Sequence, residues 1–194
     1  MGRSPAALAH RPLAADELGS LGIKEVVMHA VVRMSNSSDA RDLAALRWQS
    51  RTDEERSQES FDLFVARFCK WYADAMTSEC WFAAVAVVEE TLVGCMYLRC
   101  VDTVPVPGVA WRAWGYVTHA FVSEGHRNSG IGRQLLALLI KRGQILGLKD
   151  LQVWPSRVAV SLYVRAGFQS PEAQRSAMAP DEASYVLPLA RLQP

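Results

Sequence analysis

Two apolar segments separated by a short polar break constrain the fold of this chain most strongly. Residues 81–88 form the longest uninterrupted apolar run, and a second apolar segment covers residues 92–101. Neither approaches the roughly 20 residues that a membrane-spanning helix needs. Between them, Glu89, Glu90 and Thr91 predict a tight turn, because so short a loop joins antiparallel neighbours. The pattern therefore predicts a β-hairpin around which the other elements pack.

The segments before this hairpin predict one strand and two helices. Residues 26–34 are rich in valine, which indicates a first strand. Ser37 or Ser38 can then cap a helix that continues to about Trp48. After a polar segment, apolar residues recur at intervals of three and four, which predicts a second helix over residues 61–76.

The segments after the hairpin alternate between strand and helix. Residues 115–122 and 151–154 predict two strands, and a long amphipathic helix that begins at Ile131 and ends before Gly147 lies between them. The remaining predicted elements are a short helix over 156–166 and a final strand over 184–189. Strands that are first antiparallel and then alternate with helices predict a mixed α/β sheet.

Composition and charge exclude several classes of protein. The 194 residues are 50% hydrophobic and 21% charged, which fits one globular domain with a sizeable core. A formal net charge of +1 excludes a polybasic nucleic-acid binder and an acidic disordered chain. Residues 1–22 predict a tail or packed arm and contain no apolar signal-peptide core. We therefore expect a cytoplasmic protein with no nucleic-acid and no membrane partner.

The four cysteines predict neither a disulfide nor a metal site. Cys69, Cys80, Cys95 and Cys100 form no C-x-x-C pair and have no histidine at zinc-like spacing. Most of them lie among apolar or aromatic residues, where a free thiol behaves as a small hydrophobic group. We therefore expect reduced thiols and no metal.

The most informative segment is a glycine-containing turn between the predicted strand that ends at Val122 and the long helix. A strand-to-helix junction directs several backbone N–H groups outward, and the helix dipole adds partial positive charge there. Gly130 and Gly132 let a ligand approach the backbone closely, while Arg127 and Arg133 add formal charge. The segment therefore predicts an anion site that suits a phosphate or pyrophosphate.

Two common phosphate-binding motifs do not fit this turn. A Walker A loop ends in G-K-[ST], but Gly132 is followed by Arg133 and Gln134. A Rossmann fingerprint needs a third glycine where this chain has Leu135, and an acidic residue near the end of the next strand, whereas Asp150 lies at its start. The turn therefore favours an anionic carrier other than a nucleotide, and a nucleotide-binding α/β domain stays an alternative.

The order of these residues resembles the acyl-CoA signature of the GNAT superfamily of N-acyltransferases. The signature in this chain is Arg127-x-x-Gly130-x-Gly132, preceded by the strand that ends at Val122. Residues 154–168 are similar to the family's second motif, in which a helix carries a Leu-Tyr pair and closes on Gly-Phe. The two motifs together are far more specific than either alone.

The resemblance implies the fold and the co-substrate. It implies an α/β (α+β) fold with a mixed, mostly antiparallel sheet of about seven strands, flanked by helices and splayed between strands four and five. It assigns residues 23–194 to one domain. It also implies an acetyl-CoA-dependent N-acetyltransferase that moves an acetyl group from acetyl-CoA to a primary amine.

The family's cofactor contacts carry over to the glycine turn and to the strand before it. Unpaired backbone groups on the splayed fourth strand would bind the pantetheine amides, and the turn would wrap the pyrophosphate. Ser156 stands where the family commonly has a cofactor-binding Asn, and a serine there can also cap the helix that follows. The implied cofactor-binding residues are Ala120, Phe121, Val122, Arg127, Asn128, Ser129, Gly130, Ile131, Gly132, Arg133, Ser156 and Tyr163.

Tyr163 and His119 are the catalytic candidates. Tyr163 matches the family's tyrosine that lies near the sulfur and serves as general acid. The general base is open, because the fifth predicted strand has no carboxylate where some relatives carry Glu. His119 on the fourth strand could take the proton of the amine directly or through water, and a water chain without a single base is the alternative. No cysteine lies in a motif, which favours direct transfer in a ternary complex.

Charge is distributed unevenly along the chain, and this bears on the acceptor. Residues 39–62 contain seven acids and four arginines, a net charge of −3. Residues 112–165 contain eight bases and two acids, a net charge of +6. Acceptor contacts in this family come from the first two helices and their loop, so the acidic segment predicts a cationic small-molecule amine. The basic segment would face the polyanionic co-substrate.

Two other functions are alternatives to a small-molecule acetyltransferase: a non-catalytic acyl-CoA-binding or regulatory module, and a protein lysine or N-terminal acetylase. The missing strand carboxylate and Ser156 in place of Asn favour the first of these. Tyr163 and the intact glycine turn favour an enzyme. The resemblance also allows a homodimer, since dimers are common in the family.

Overall fold

The predicted hairpin forms the centre of the sheet. The computed structural model describes residues 30–105, 107–108, 113–170 and 184–189. Strand β2 (Trp81–Val88) pairs antiparallel with β3 (Thr91–Asp102), and Glu89 and Glu90 make the turn between them. Both glutamates have positive φ, 46° and 68°, as a two-residue hairpin turn of the primed type requires. The tight turn predicted from the sequence is therefore confirmed.

Four further strands extend the sheet on both sides of the hairpin. Strand β1 (Val31–Met34) pairs with β2, and β4 (Ala113–Val122) pairs with β3, both antiparallel. Strand β5 (Asp150–Val153) lies parallel to β4, and β6 (Tyr185–Pro188) is antiparallel to β5. The resulting order, β1-β2-β3-β4-β5-β6, is the mixed and mostly antiparallel sheet that was predicted.

The number of strands differs from the expectation. The described residues form six strands rather than about seven. These six correspond to the six segments whose sequence patterns predict strands, whereas the seventh rested on the family resemblance alone. The predicted N-terminal arm, residues 1–22, and the first part of the first predicted strand, residues 26–29, lie outside the described residues.

In the described part of the chain, three helices precede β2 and two follow β4. They are α1 (Ala40–Gln49), α2 (Asp53–Arg56), α3 (Phe61–Thr77), α4 (Ile131–Ile145) and α5 (Val160–Arg165). The extents of α3 and α4 confirm the two long helices predicted from apolar residues at intervals of three and four.

Two predicted helix caps are wrong. Asn36, rather than Ser37 or Ser38, caps the short turn that leads into α1, and its side chain accepts the Ser38 N–H. Asparagine is as good an N-cap as serine, and its amide oxygen reaches the N–H two residues further on. Ser156 does not cap α5, because a separate turn follows it and α5 begins only at Val160.

Helices cover both faces of the sheet. Side chains alternate along β2 and β3, so that Ala84 and Met96 pack in the core that contains α4. Val85 and Tyr97 point the other way, into the core that contains α1 and α3. Burial on both faces explains why these strands are continuous apolar runs in the sequence.

The sheet opens between β4 and β5, as the resemblance implied. Only two residue pairs join these strands in the described part of the chain, Gly115 with Leu151 and Tyr116 with Gln152. Beyond Tyr116, the rest of β4 pairs with β3 alone. The two strands therefore diverge, and one edge of β4 is left with unpaired backbone groups.

The point where β4 and β5 meet leaves no room for a side chain on Gly115. A Cβ atom there would lie 2.4 Å from Leu151 Cδ2 and 2.7 Å from Leu98 Cδ1, both in the core. We expect Gly115→Ala to lower the free energy of unfolding by about 1–3 kcal/mol through overpacking. Urea denaturation measures this, with Gly125→Ala as the control, because a Cβ on Gly125 meets nothing within 4 Å. Equal stability of the two variants would contradict the prediction.

Candidate active site

The divergence of β4 and β5 opens into a large cavity of about 1010 Å³. Five parts of the chain line it: the end of α1 through α3, the start of β2, the middle of β3, the middle of β4, and the segment from β5 to α5. The side chains that matter for chemistry come from all of these except β2. They are Arg47, Arg51, Glu55, Arg56, Glu59, Arg67, Tyr97, His119, Ser156 and Tyr163.

A β-bulge in β4 lies at the centre of this cavity. Cys95 of β3 pairs with Phe121 and Tyr97 pairs with Thr118, so His119 and Ala120 together lie opposite one residue of β3. His119 has a φ of 48°, in the left-handed region. Such a bulge bends the strand and interrupts its ladder. It therefore turns the backbone that follows, which includes Ala120 and Phe121, toward the opening.

The glycine turn follows directly after β4. A short 3-10 turn, Glu124–His126, leads to Asn128 and Gly130, which have φ values of 63° and 83°, and α4 then begins. Within the described residues, the six backbone N–H groups of residues 128–133 donate to no other group. Unpaired N–H groups at a helix N-terminus form a site for an anion. The geometry therefore suits the predicted pyrophosphate site.

Arg127 and Ser129 hold this turn in shape. The Nε of Arg127 donates to the Val122 carbonyl at 3.1 Å, and Ser129 Oγ donates to the His126 carbonyl at 2.5 Å. A methyl group on Gly132 would lie 3.6 Å from Leu162 Cδ2, an ordinary contact. The turn is therefore braced by its own side chains while its backbone faces outward.

Tyr163 lies on the β5–α5 side of the cavity. It is 2% exposed, and its ring meets Phe168 edge-on with a centroid distance of 5.4 Å. Burial, with a smaller contribution from Tyr116, raises the pKa of Tyr163 to about 12. The hydroxyl therefore keeps its proton at neutral pH. Ser156 lines the same side of the cavity.

His119 lies against Arg47. The guanidinium Nη1 of Arg47 is 2.7 Å from His119 Nδ1, so Nδ1 accepts this hydrogen bond and the ring proton of the neutral imidazole is on Nε2. Burial, followed by the charges of Arg47 and Arg51, lowers the pKa of His119 to about 3. Nε2 and the nearby hydroxyl of Tyr97 are buried, and neither has a hydrogen-bond partner among the described residues.

This environment disfavours His119 as the general base, a role that stays a prediction. A primary ammonium group has a pKa of about 10, far above the value of about 3 for His119. An imidazole in these surroundings is a weak base. Arg47 is a site residue that the motifs do not indicate, although one signal for it is present in the sequence: it lies in the apolar stripe of α1 with Leu43 and Leu46.

The charge on the side of the cavity that α1, α2 and α3 line differs from the expected one. Four arginines and two glutamates line it, a net charge of +2. The acids that made residues 39–62 negative mostly point elsewhere. Asp39 is buried against Arg33 at 2.7 Å, and its pKa is low because hydrogen bonds from Arg33 and Asn36 outweigh its burial. A segment's net charge does not show which face of its helices carries the charge.

The family of the chain follows from comparison with known proteins. The model of the acetyltransferase (GNAT) family matches residues 40–168. This is well over half of the chain, and the chain therefore belongs to the GNAT family of acetyltransferases. No curated protein matches it significantly.

Several solved structures share the fold. The GNAT family N-acetyltransferase YhbS from Escherichia coli, solved with CoA, has a TM-score of 0.61 and 21% identity over 86% of this chain and 85% of its own. A predicted acetyltransferase from Clostridium acetobutylicum, solved with acetyl-CoA, has a TM-score of 0.60 and 15% identity over 73% and 90%. Aminoglycoside N-acetyltransferase AAC(6')-Iy, solved with CoA, has a TM-score of 0.54 and 17% identity over 72% and 86%.

In the described ranges, no helix is both long and apolar enough to cross a membrane. The same ranges contain no group of three or more His, Cys, Asp or Glu side chains that could hold a metal ion.

The low pKa of His119 makes stability depend on pH in a defined direction. The unfolded chain protonates an ordinary histidine below about pH 6.5, whereas the folded chain keeps His119 neutral down to about pH 3. Stability therefore falls as the pH drops through this window. Between pH 7 and pH 5 we expect the wild type to lose about 2 kcal/mol more unfolding free energy than His119→Asn. Urea denaturation at both pH values tests this, and equal losses would rule out the buried neutral histidine.

Proposed function

We propose that this chain transfers an acetyl group from acetyl-CoA to the primary amine of a small molecule, by direct transfer in a ternary complex. One observation carries the proposal: one cavity joins the gap between β4 and the β5–α5 segment to the pocket beside α1 and α3, and the bulge at His119 lies between them. Two substrates that enter from opposite sides would meet there. We expect the protein to act in the cytoplasm.

The residues that would hold acetyl-CoA fit a long, polar and anionic molecule. The free edge of β4 at Ala120, Phe121 and Val122 offers backbone groups to the pantetheine amides. The unpaired N–H groups of residues 128–133, together with Arg127, suit the pyrophosphate. Ser156 and Tyr163 line the opposite wall of the opening.

Transfer requires a donor at the carbonyl oxygen, loss of a proton from the amine, and a donor at the departing sulfur. We assign the first role to the bulge at His119, because the strand ladder that would otherwise use its backbone N–H groups is interrupted there. We assign the third role to Tyr163, because its hydroxyl keeps its proton. With the pKa of His119 so low, the amine proton leaves through water in the cavity.

Direct transfer is supported by the position of the thiols. None of the four cysteines lines the described cavity. Burial raises the pKa of Cys95 to about 12 and that of Cys100 to about 11, so neither is a thiolate at neutral pH. An acetyl-cysteine intermediate therefore has no support from the geometry.

The proposed activity predicts amine-dependent release of CoA. Incubation of the protein with acetyl-CoA and a panel of amino acids, amino-acid amides, polyamines and aminoglycosides, followed by a thiol assay, should show turnover with at least one class. The product should be an N-acetyl amine by mass spectrometry. Tight binding of acetyl-CoA without turnover for any amine would instead support the non-catalytic acyl-CoA-binding module.

Tyr163→Phe tests the role of the hydroxyl. We expect kcat to fall by about tenfold or more, because the departing sulfur loses its donor, while the KM for acetyl-CoA changes by less than about twofold because the ring packing remains. Tyr185→Phe is the control, since Tyr185 lies on β6 and does not line the cavity. Unchanged kcat in Tyr163→Phe would remove Tyr163 from the mechanism.

A further inference from the structure

We propose that the acceptor is an α-amino acid with an apolar or aromatic side chain, and that Arg47 binds its carboxylate. This inference rests on the proposed function and deepens it. It also replaces the cationic acceptor that the net charge of residues 39–62 predicted.

Among the four arginines that line the cavity, Arg47 has no counter-ion in the described residues. Arg51 pairs with Glu55, Arg56 with Asp53, and Arg67 with Glu59; Arg47 forms no ion pair within the described residues. Its one polar contact is to the neutral ring of His119.

Arg47 is also half-buried, and burial is the main cause that lowers its pKa, ahead of the charge of Arg51. A buried charge is costly unless it is paired. A carboxylate that enters the cavity would supply the missing partner, because its two oxygens match the fork of guanidinium donors.

Arg47 also lies close to the bulge at His119. The contact of 2.7 Å between Arg47 and His119 places the guanidinium beside the bulge where, on the proposed function, the acetyl group is delivered. In an α-amino acid a single carbon separates the carboxylate from the amine. A carboxylate on Arg47 would therefore leave the amine next to His119, whereas an acceptor with widely separated groups would not fit this spacing.

The cavity also has an aromatic wall that suits an apolar side chain on the acceptor. Aromatic rings line the cavity beyond Arg47, with centroid distances of 5.3 Å for Trp48–Phe64, 5.2 Å for Phe68–Trp71 and 5.4 Å for Trp71–Trp81. This wall offers apolar contact area.

The lining glutamates do not favour a cationic side chain. Glu55 and Glu59 are already paired with Arg51 and Arg67. The cavity therefore favours apolar and aromatic side chains over those of lysine or a polyamine.

The test compares each amino acid with its own amide. The probes are phenylalanine, tryptophan, leucine and methionine, each with the corresponding amino-acid amide, which keeps the amine and the side chain but lacks the carboxylate charge. We expect kcat/KM for at least one acid to exceed that of its amide by about tenfold or more, as loss of a charge-assisted pair predicts. In Arg47→Met this ratio should fall to about one, with the KM for acetyl-CoA unchanged. Arg47→Lys should restore part of it.

The matched control is Arg41→Met, because Arg41 is an exposed arginine on the same helix that does not line the cavity. This variant should keep the wild-type ratio of acid to amide. If the wild type uses amides as well as acids, or if Arg47→Met lowers both rates equally, the carboxylate site is overturned and Arg47 only positions His119.

Failure of the proposed function gives a different result. If no amine is acetylated, calorimetric titration of the CoA-loaded protein with the same four amino acids measures the carboxylate site alone. Binding that Arg47→Met abolishes and Arg41→Met keeps supports the site without the activity. Absence of binding to the wild type overturns it.

Discussion

The limited pairing between β4 and β5 is the constraint on which the rest of the site depends. Two residue pairs hold the strands together where Gly115 lets them approach, and the bulge at His119 and Ala120 then turns β4 away. A residue with a side chain at position 115 would push β4 and β5 apart where they pair. On the proposed function, the same divergence frees a strand edge for one substrate and opens the cavity for the other. Strand pairing, rather than a loop, would then position the reacting groups.

The bulge also creates the electrostatic character of the site. It brings His119 into a half-buried position against Arg47, which lies 72 residues earlier in the chain. Low dielectric and a neighbouring cation both disfavour the imidazolium, which lowers the pKa of His119. Arg47 in turn donates a hydrogen bond to a neutral ring, and no carboxylate among the described residues pairs with its guanidinium. One contact thus defines the surroundings of two residues.

The parts of the fold that depend on local sequence were predictable. Glu89 and Glu90 between two apolar runs indicated the hairpin, and Gly130 and Gly132 indicated the turn between β4 and α4. The helix cap was missed because Asn36, Ser37 and Ser38 are all good caps, and only the backbone shows which is used. Local rules therefore predict where an element lies, but not which of several neighbouring residues with similar propensity caps it.

The chemistry of the acceptor pocket was not predictable in the same way. The sum of charges over residues 39–62 ignores the face that each side chain occupies, and Asp39 and Asp53 are taken up by Arg33 and Arg56. The pKa of His119 depends on burial and on Arg47, neither of which its neighbours in sequence reveal. A charged residue within an apolar stripe, such as Arg47 in α1, is the sequence signal that indicates a candidate site residue, because burying an unpaired charge is costly.

The positive cavity has a consequence for the order of events in the proposed reaction. A zwitterionic amino acid carries no net charge, but its N-acetylated product carries one negative charge because the ammonium group is lost. An arginine-lined cavity with a net charge of +2 therefore attracts the product more strongly than the substrate. If the glycine turn also binds the pyrophosphate, product and free CoA would both leave against an electrostatic attraction. For such an acceptor, release of product rather than acetyl transfer would then limit turnover.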